Sequence, residues 1–244
     1  MRVARVVTTL VLTAHGSADP RAAANARAVA ELVERMRPGL DVRVAFCELN
    51  QPRLTDVLRS GRGKTVVTPL LLADAYHARV DIPGQIAGSE IGHRVRQASV
   101  LGEDGRLISA LRERLAERGV SELDRELGVL VVAIGSSAAA ANARTAAVAP
   151  KLATGTRWAA ATTAFATGPG PSLADAARRL RRHGARRLVI APWFLAPGRL
   201  PDRVRLIAQD AGIPMAAPLG AHRLVAATVL DRFDEALAAD RLVA

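Results

Sequence analysis

The sequence of 244 residues has few cysteines, few aromatic residues and no long apolar runs, and each shortage excludes a class of protein. The single cysteine, Cys47, cannot form an internal disulfide, which favours a reducing compartment and predicts a cytoplasmic protein. No run approaches the roughly 18 consecutive apolar residues that a membrane-spanning helix needs, so we expect no membrane partner. The basic and then apolar start is similar to a signal peptide, but its threonines and β-branched residues predict a buried strand instead.

The charge is one-sided, because 34 basic residues against 23 acidic ones give a net charge of +11. An anionic partner would suit that balance. Aromatic residues make up only 3% of the chain, too few for platforms that stack bases, and the arginines are spread along helical segments. We therefore expect no nucleic acid partner and favour a small, multiply anionic substrate. A nucleic-acid-binding protein is the less favoured alternative, because only the net positive charge of the sequence supports it.

An internal repeat organises the chain. The hexapeptide AAANAR at residues 22–27 recurs at residues 139–144. The match extends on both sides in the same order, and residues 12–17 align with residues 131–136. The chain therefore consists of two copies of one unit, joined near residues 119–127.

Each copy alternates apolar, β-branched runs with amphipathic helical patterns. Strands are expected at residues 3–14, 40–47 and 64–73, and in the second copy at 128–134, 156–166, 186–195 and 214–217. Helices are expected at 21–37, 53–61, 138–152, 172–183, 201–211 and 222–239. Buried strands separated by helices imply right-handed βαβ units, hence parallel sheets with helices on both faces. We predict two tandem doubly wound α/β domains, at residues 1–122 and 123–244.

Three polar residues follow predicted strands of the first copy, namely His15, Glu48 and His77. In doubly wound folds, ligands bind beyond the carboxyl ends of the strands, so these residues are candidates for one site. Two imidazoles and a carboxylate suit divalent iron, cobalt, nickel or zinc better than magnesium or calcium. Taken alone, each histidine could equally be a hydrogen-bonded loop or capping residue.

The second copy provides an internal control for this site. At the matching positions it has Ile134, Thr167 and Leu200, so all three candidate ligands are absent together while the apolar framework remains. A purely structural role would be expected to persist wherever the fold persists. The joint loss therefore predicts a site that only the first copy carries.

The ordered motifs of the chain resemble one known family. They are HGSADP from His15, FCE from Phe46, PLLL from Pro69 and HARVDIP from His77, and the resemblance extends over nearly the whole chain. Together they resemble the class II tetrapyrrole chelatases, the small sirohydrochlorin cobaltochelatases and ferrochelatases, in their tandem two-unit form. The sequence departs from this family at residues 74–76, where members often carry glycine.

The resemblance implies a lyase that inserts a divalent metal into sirohydrochlorin, on the route to sirohaem with iron or to cobalamin with cobalt. The metal, Fe2+, Co2+ or Ni2+, would be a substrate, and no organic cofactor is expected. Carried over to this sequence, His15 and His77 would be metal ligands and proton acceptors, and Glu48 would assist from the same cleft. A non-catalytic metal carrier or tetrapyrrole-binding protein that uses the same histidines is the alternative.

A substrate rich in carboxylates gives the positive charge a use, because a basic cleft attracts a polyanion. The helix expected from Pro20 would present its positive N-terminus beside Ser17, which could hold a substrate carboxylate. Arg79, beside His77, and Arg199, in the matching loop of the second copy, are the candidate substrate-binding arginines. Solvated loop arginines would give the same pattern.

Two further residues in these motifs bear on the site. Asp81 could orient His77 as its hydrogen-bond partner, or it could cap the helix that follows. Cys47 precedes Glu48 in an alternating strand pattern, so we expect its side chain to point away from the site into apolar surroundings.

Overall fold

The computed structural model describes residues 8–61 and 63–243, so the start of the predicted first strand lies outside the described residues. The chain divides into two compact units, Met1–Gly102 with Ala221–Ala244, and Glu103–Gly220. The strands are β1 (Thr8–Ala14), β2 (Asp41–Phe46), β3 (Lys64–Pro69), β4 (Val95–Gln97), β5 (Leu127–Ala133), β6 (Ala160–Phe165) and β7 (Arg187–Trp193).

The helices follow the strands in an alternating order. They are α1 (Pro20–Met36), α2 (Leu54–Arg59), α3 (Ile82–Ala87), α4 (Gly105–Ala116), α5 (Ala139–Ala146), α6 (Val148–Ala153), α7 (Leu173–Arg182), α8 (Arg199–Asp210) and α9 (Arg223–Val243). A π-helical turn spans His77–Asp81 and a 3-10 turn spans Gly92–Arg94. No helix among the described residues is long and apolar enough to cross a bilayer.

The first unit is built on a parallel sheet with the strand order β2-β1-β3-β4. Val11 of the central strand lies in a core cluster with residues of α2 and α3. Leu10 and Leu12 are fully buried and point to the opposite face, because side chains alternate along a strand. Helices α1 and α9 pack against β1 and β3. Both faces of the sheet are covered, as the doubly wound prediction requires.

The second unit is built on a parallel sheet with the order β6-β5-β7, and every residue of β5 is buried. The strand predicted at residues 214–217 is wrong, because only a single parallel bridge, between Ile190 and Met215, forms there. This bridge corresponds to β4 of the first sheet. Strand β4 has only three residues, and the corresponding edge of the second sheet is reduced to this single bridge.

Strand register confirms the internal repeat. In the first sheet Ala14 is paired with Phe46, and in the second sheet Ala133 is paired with Phe165. The pairing of β1 with β3 and that of β5 with β7 also start at matching residues. The sequence alignment of the two copies is therefore also an alignment of their backbones at the strand ends.

The compact units cut across the repeat boundary predicted at residues 122 and 123. Helix α4 belongs to the first repeat but packs against α6 and β7 of the second unit. Helix α9 belongs to the second repeat but packs against α1 and β3 of the first unit. An amphipathic helix needs an apolar surface to cover, and its own periodicity does not specify which sheet provides that surface.

The contacts of helix α9 with the first unit include one buried aromatic residue and one ion pair. Phe233 is only 2% exposed, and the guanidinium carbon of Arg37 lies 6.0 Å from its ring centroid. Two nitrogens of Arg37 donate to the two carboxylate oxygens of Asp234 at 2.5 and 2.6 Å, which raises the pKa of Arg37. Both side chains of the ion pair are exposed, so solvent screens their attraction.

We expect burial rather than the ion pair to hold α9 in place. Phe233→Ala should lower the free energy of unfolding by about 3–5 kcal/mol, because it leaves a cavity in the core. Asp234→Asn, its matched control one residue away, should cost less than about 1 kcal/mol. Urea unfolding followed by circular dichroism measures both values, and equal losses in the two variants would contradict the expectation.

Candidate active site

Three adjacent strands of the first sheet end at one edge and place the candidate residues side by side. His15 directly follows β1, Glu48 lies two residues after β2, and His77 begins the π-helical turn after β3. Because β1 lies between β2 and β3, His15 lies between the other two candidates. The structure thus brings together the three residues that the sequence predicted as one site.

His15 contacts both of its neighbours. Its Nε2 atom lies 3.2 Å from Oε1 of Glu48, and its ring stacks on that of His77 with centroids 3.8 Å apart and planes inclined by 30°. The side chains of His15, Glu48 and His77 are 35%, 52% and 40% exposed. Within residues 8–61 and 63–243, no three His, Cys, Asp or Glu side chains form a group that could hold a metal ion. The site is therefore an open set of paired side chains.

The surroundings of His15 favour its neutral form. Burial lowers the pKa of His15 and the nearby charge of His77 lowers it further, while Glu48 and Asp81 act in the opposite direction. Its Nδ1 atom is buried and has no hydrogen-bond partner among the residues that the structure describes. A neutral imidazole is the form that binds metal ions and accepts protons.

His77 has a carboxylate partner of its own. Nδ1 of His77 is hydrogen-bonded to Oδ2 of Asp81, four residues later. Asp81 precedes α3 but, within the described chain, its side chain makes no capping hydrogen bond to that helix. Of the two roles considered for Asp81, contact with His77 is the one observed, and the capping alternative is wrong.

A π-helical turn separates the two members of this pair. The Ile82 N–H donates to the His77 carbonyl five residues earlier, and the next donor in that pattern would be residue 83. Pro83 has no N–H, so the Ala78 carbonyl accepts instead from Nε2 of Gln97 in β4, at 2.7 Å. Gln97 was not predicted from the sequence. In the neighbouring sequence, only Pro83 indicated that the Ala78 carbonyl needs a hydrogen-bond donor from another part of the chain.

A close backbone approach fixes Glu48 beside His15. A Cβ atom on Gly16 would lie 1.8 Å from the Glu48 carbonyl oxygen, and Gly16 has a φ of +103°, which disfavours other residues. The Glu48 N–H donates to the His15 carbonyl at 3.0 Å. In the second copy, a Cβ on Gly135 would lie at the same 1.8 Å from the Thr167 carbonyl oxygen.

Ser17 lies at the site but its environment differs from the expected one. Its N–H donates to Oδ1 of Asn50 at 2.7 Å, and its hydroxyl oxygen accepts from the Asp19 N–H at 3.0 Å. The Asp19 carboxylate caps α1 by accepting from the Arg21 N–H. The protein's own carboxylate therefore already occupies the helix N-terminus that we expected to attract a substrate carboxylate.

The two candidate arginines differ in their contacts. Arg79 donates to both carboxylate oxygens of Asp74 at 3.0 and 2.6 Å, and this pairing raises the pKa of Arg79. Arg199 begins α8 in the second unit, is exposed, and makes no ion pair with any described residue. Of the two, Arg199 alone has its charge uncompensated by a contacting carboxylate.

Cys47 is buried in the apolar cluster of the first unit, as expected for a side chain that points away from Glu48. Burial, and secondarily the charges of Asp81 and Glu48, raise the pKa of the Cys47 thiol to about 11. A thiol with such a pKa stays protonated at neutral pH and is a poor metal ligand. The structure gives Cys47 a packing role.

Exposed apolar side chains flank the site residues. Leu49 follows Glu48, Tyr76 precedes His77, and Val80 lies in the π-helical turn. The Tyr76 ring meets the His77 ring edge-on, with centroids 6.0 Å apart. None of the three was predicted from the sequence as a contact residue. Exposed apolar side chains therefore lie next to Glu48 and His77 in the sequence.

The second copy has no comparable chemistry at its matching sheet edge. Ile134, which matches His15, is 56% exposed, and Thr167, which matches Glu48, is exposed as well. Leu200, which matches His77, is partly buried near the start of α8. The second copy therefore keeps the backbone contact and its glycine, but it has no imidazole or carboxylate group at these three positions.

The two glycines provide a matched pair of variants. Gly16→Ala and Gly135→Ala should each cost more than about 1 kcal/mol of stability, because each places a Cβ against a carbonyl oxygen. Only Gly16→Ala should also weaken Co2+ binding, since it displaces Glu48. Urea unfolding and titration of the visible absorption of Co2+ measure the two effects. Equal loss of Co2+ affinity in both variants would show that Glu48 is not the cause.

Comparison with known proteins assigns this chain to a family. The sequence model of the CbiX family matches residues 9–118 and, a second time, residues 128–236. A sirohydrochlorin ferrochelatase of Priestia megaterium is 28% identical over 203 residues, which are 78% of this chain and 74% of that protein. A sirohydrochlorin cobaltochelatase of the same organism is 26% identical over 208 residues, 80% of this chain and 66% of that protein.

A solved structure agrees in fold. SirB from Bacillus subtilis with Fe3+ superposes with a TM-score of 0.80 at 23% identity, covering 94% of this chain and 95% of that one. The two family matches fall on the two sequence repeats, and each includes the strands that form one parallel sheet. The resemblance found in the motifs is therefore confirmed, and the chain belongs to the CbiX family as two CbiX units in tandem.

Proposed function

We propose that the protein is a sirohydrochlorin chelatase, a lyase that inserts Fe2+ or Co2+ into sirohydrochlorin. The observation that carries the proposal is the stacked pair His15 and His77, in which each ring contacts its own carboxylate. Membership of the CbiX family and similarity to a ferrochelatase and a cobaltochelatase support the reaction class.

The reaction exchanges a metal ion for protons. One divalent ion enters the ring, two pyrrole nitrogens lose their protons, and the metal complex and two protons are the products. Imidazole suits both halves of this exchange, because it binds borderline divalent metals and accepts protons near neutral pH. His15 and His77 provide two imidazoles in contact, and Glu48 and Asp81 provide negative charge beside them.

An open site suits a metal that is a substrate. A structural metal site closes around its ion with four ligands, whereas a site that passes the ion on must bind it incompletely. The partial exposure of His15, Glu48 and His77 leaves room for water or ring nitrogens on the same ion. Ni2+ would be accepted by the same donor set, and no organic cofactor is needed for the exchange.

The substrate would contact apolar and basic groups together. Leu49, Tyr76 and Val80 offer apolar surface for the faces of the macrocycle. Ser17 and Arg199 are the proposed partners of its carboxylates, and Arg79 would have to exchange Asp74 for a substrate carboxylate. The net charge of +11 would attract the polyanion to the protein.

The proposal also covers the division of the chain and its location. We place the catalytic repeat at residues 1–122 and a degenerate repeat at residues 123–244. The lone Cys47 supports a cytoplasmic location, where thiols stay reduced. The scarcity of aromatic residues argues against a nucleic acid partner.

An anaerobic insertion assay tests the proposed function. The purified protein should accelerate the change in the visible spectrum of sirohydrochlorin with Fe2+ or Co2+ over the protein-free rate. His15→Ala and His77→Ala should each lower that rate by roughly 100-fold or more, because each removes a ligand and a proton acceptor. His93→Ala, at an exposed histidine of the first unit, and Leu200→Met, at the position that matches His77, are the controls and should retain the rate.

Three results would contradict the proposal. Wild-type rates in both His15→Ala and His77→Ala would remove the catalytic role of the pair. Tight binding of metal or macrocycle without acceleration would favour a non-catalytic carrier. Salt-sensitive binding to a DNA duplex, unaffected by either histidine variant, would favour a nucleic-acid-binding protein.

A further inference from the structure

The two histidines of the site are held through different ring nitrogens. His15 faces Glu48 with Nε2, whereas His77 faces Asp81 with Nδ1. We propose that Asp81 is a positioning residue that holds His77 in the tautomer with a proton on Nδ1, so that Nε2 presents its lone pair to the substrates. The proposal deepens the chelatase function proposed above and rests on it for its activity measurement only.

The chemistry of the pair determines the tautomer. A carboxylate oxygen accepts hydrogen bonds, so the bond between His77 and Asp81 requires Nδ1 to donate. In a neutral imidazole the other nitrogen is then the acceptor, here Nε2. A carboxylate bonded to one ring nitrogen also fixes the plane of the ring. Asp81 would therefore determine which ring nitrogen of His77 is free to bind a metal ion.

The start of α3 does not need Asp81 as a cap. Pro83 lies in the first turn of that helix and has no N–H that a capping side chain could satisfy. Asp81 makes no capping bond within the described chain, and its side chain is only 28% exposed. Among the described residues, the carboxylate of Asp81 forms its hydrogen bond with the ring of His77.

The backbone between the two residues is fixed from outside the turn. Gln97 of β4 donates to the Ala78 carbonyl at 2.7 Å, which anchors the turn to the edge strand of the sheet. The Ile82 N–H closes the turn on the His77 carbonyl. The separation of His77 and Asp81 is thus set by hydrogen bonds other than their own, as a positioning pair requires.

The second copy has neither member of the pair. The position that matches His77 is Leu200, and the position that matches Asp81 is Val204, by the same shift that relates β3 to β7. Val204 is buried in the apolar core of the second unit. An aspartate retained for the fold would be expected in both copies, whereas one retained for His77 would disappear with it.

Nitrogen NMR of the histidine rings tests the proposal without any assay of turnover. In long-range 1H–15N spectra of the whole metal-free protein, His77 of the wild type should show the pattern of the Nδ1–H tautomer, assigned by its absence in His77→Ala. Asp81→Asn should shift His77 towards the Nε2–H tautomer. Asp81→Glu, which keeps a carboxylate, should restore the wild-type pattern at least in part. Glu90→Gln, an exposed carboxylate just after α3, is the matched control and should change nothing.

The activity measurement uses the same variants. Asp81→Asn should lower kcat for metal insertion by about 10–100-fold with little change in KM. Losses of this size are typical when the hydrogen-bond partner of a metal-binding histidine is replaced. Asp81→Glu should recover part of that loss, and thermal unfolding of all variants should stay close to that of Glu90→Gln.

The outcomes separate this proposal from the proposed function. An unchanged His77 tautomer in Asp81→Asn would overturn the positioning role, and so would a loss of activity without a change of tautomer. If Asp81→Asn does not fold, failure of Asp81→Glu to keep the Nδ1–H pattern would overturn it instead. A tautomer shift in a protein without insertion activity would support the positioning role while the chelatase function fails.

Discussion

The close approach of Gly16 to the carbonyl of Glu48 is the contact on which the candidate site depends. No side chain fits between these two backbones, since a Cβ would lie 1.8 Å from the oxygen. The contact joins the loops after two adjacent strands and so fixes how far His15 lies from Glu48. The second copy keeps the same contact between Gly135 and Thr167 without any of the chemistry. The backbone contact at the sheet edge is therefore common to both copies, whereas the candidate catalytic side chains are present only in the first.

In the first copy each histidine of the site is paired with a carboxylate, and the second copy has neither member of either pair. The four residues that match the two histidines and two carboxylates are Ile134, Leu200, Thr167 and Val204. An aspartate left in the place of Val204 would be a charge in an apolar core without a partner, which is costly. Loss of one histidine therefore favours loss of its carboxylate. The second copy keeps the strand register of its sheet without the side chains of the site.

The sequence predicts the place of the site better than its internal structure. His15, Glu48 and His77 could be located because parallel strands end at one edge, and alternation alone predicted the burial of Cys47. The π-helical turn could not be predicted, because its missing hydrogen bond is supplied by Gln97, far along the chain. The packing of α4 in the second unit and of α9 in the first could not be predicted either, for a related reason. Periodicity shows that a helix has an apolar face but not which surface that face covers.

The stacking of the two imidazoles limits the positive charge that the site can hold. Rings with centroids 3.8 Å apart repel each other when both are charged, and the pKa of His15 is lowered in part by His77 for this reason. Removal of two protons from one macrocycle nevertheless requires acceptors for both. A carboxylate on each ring offsets the repulsion, and both carboxylates act to raise the pKa of His15. In the proposed mechanism, protons taken up at His15 would pass to solvent by way of Glu48, whose side chain is half exposed. Two histidines without their carboxylates would bind a metal ion but would be poorly suited to removing the protons that the ion replaces.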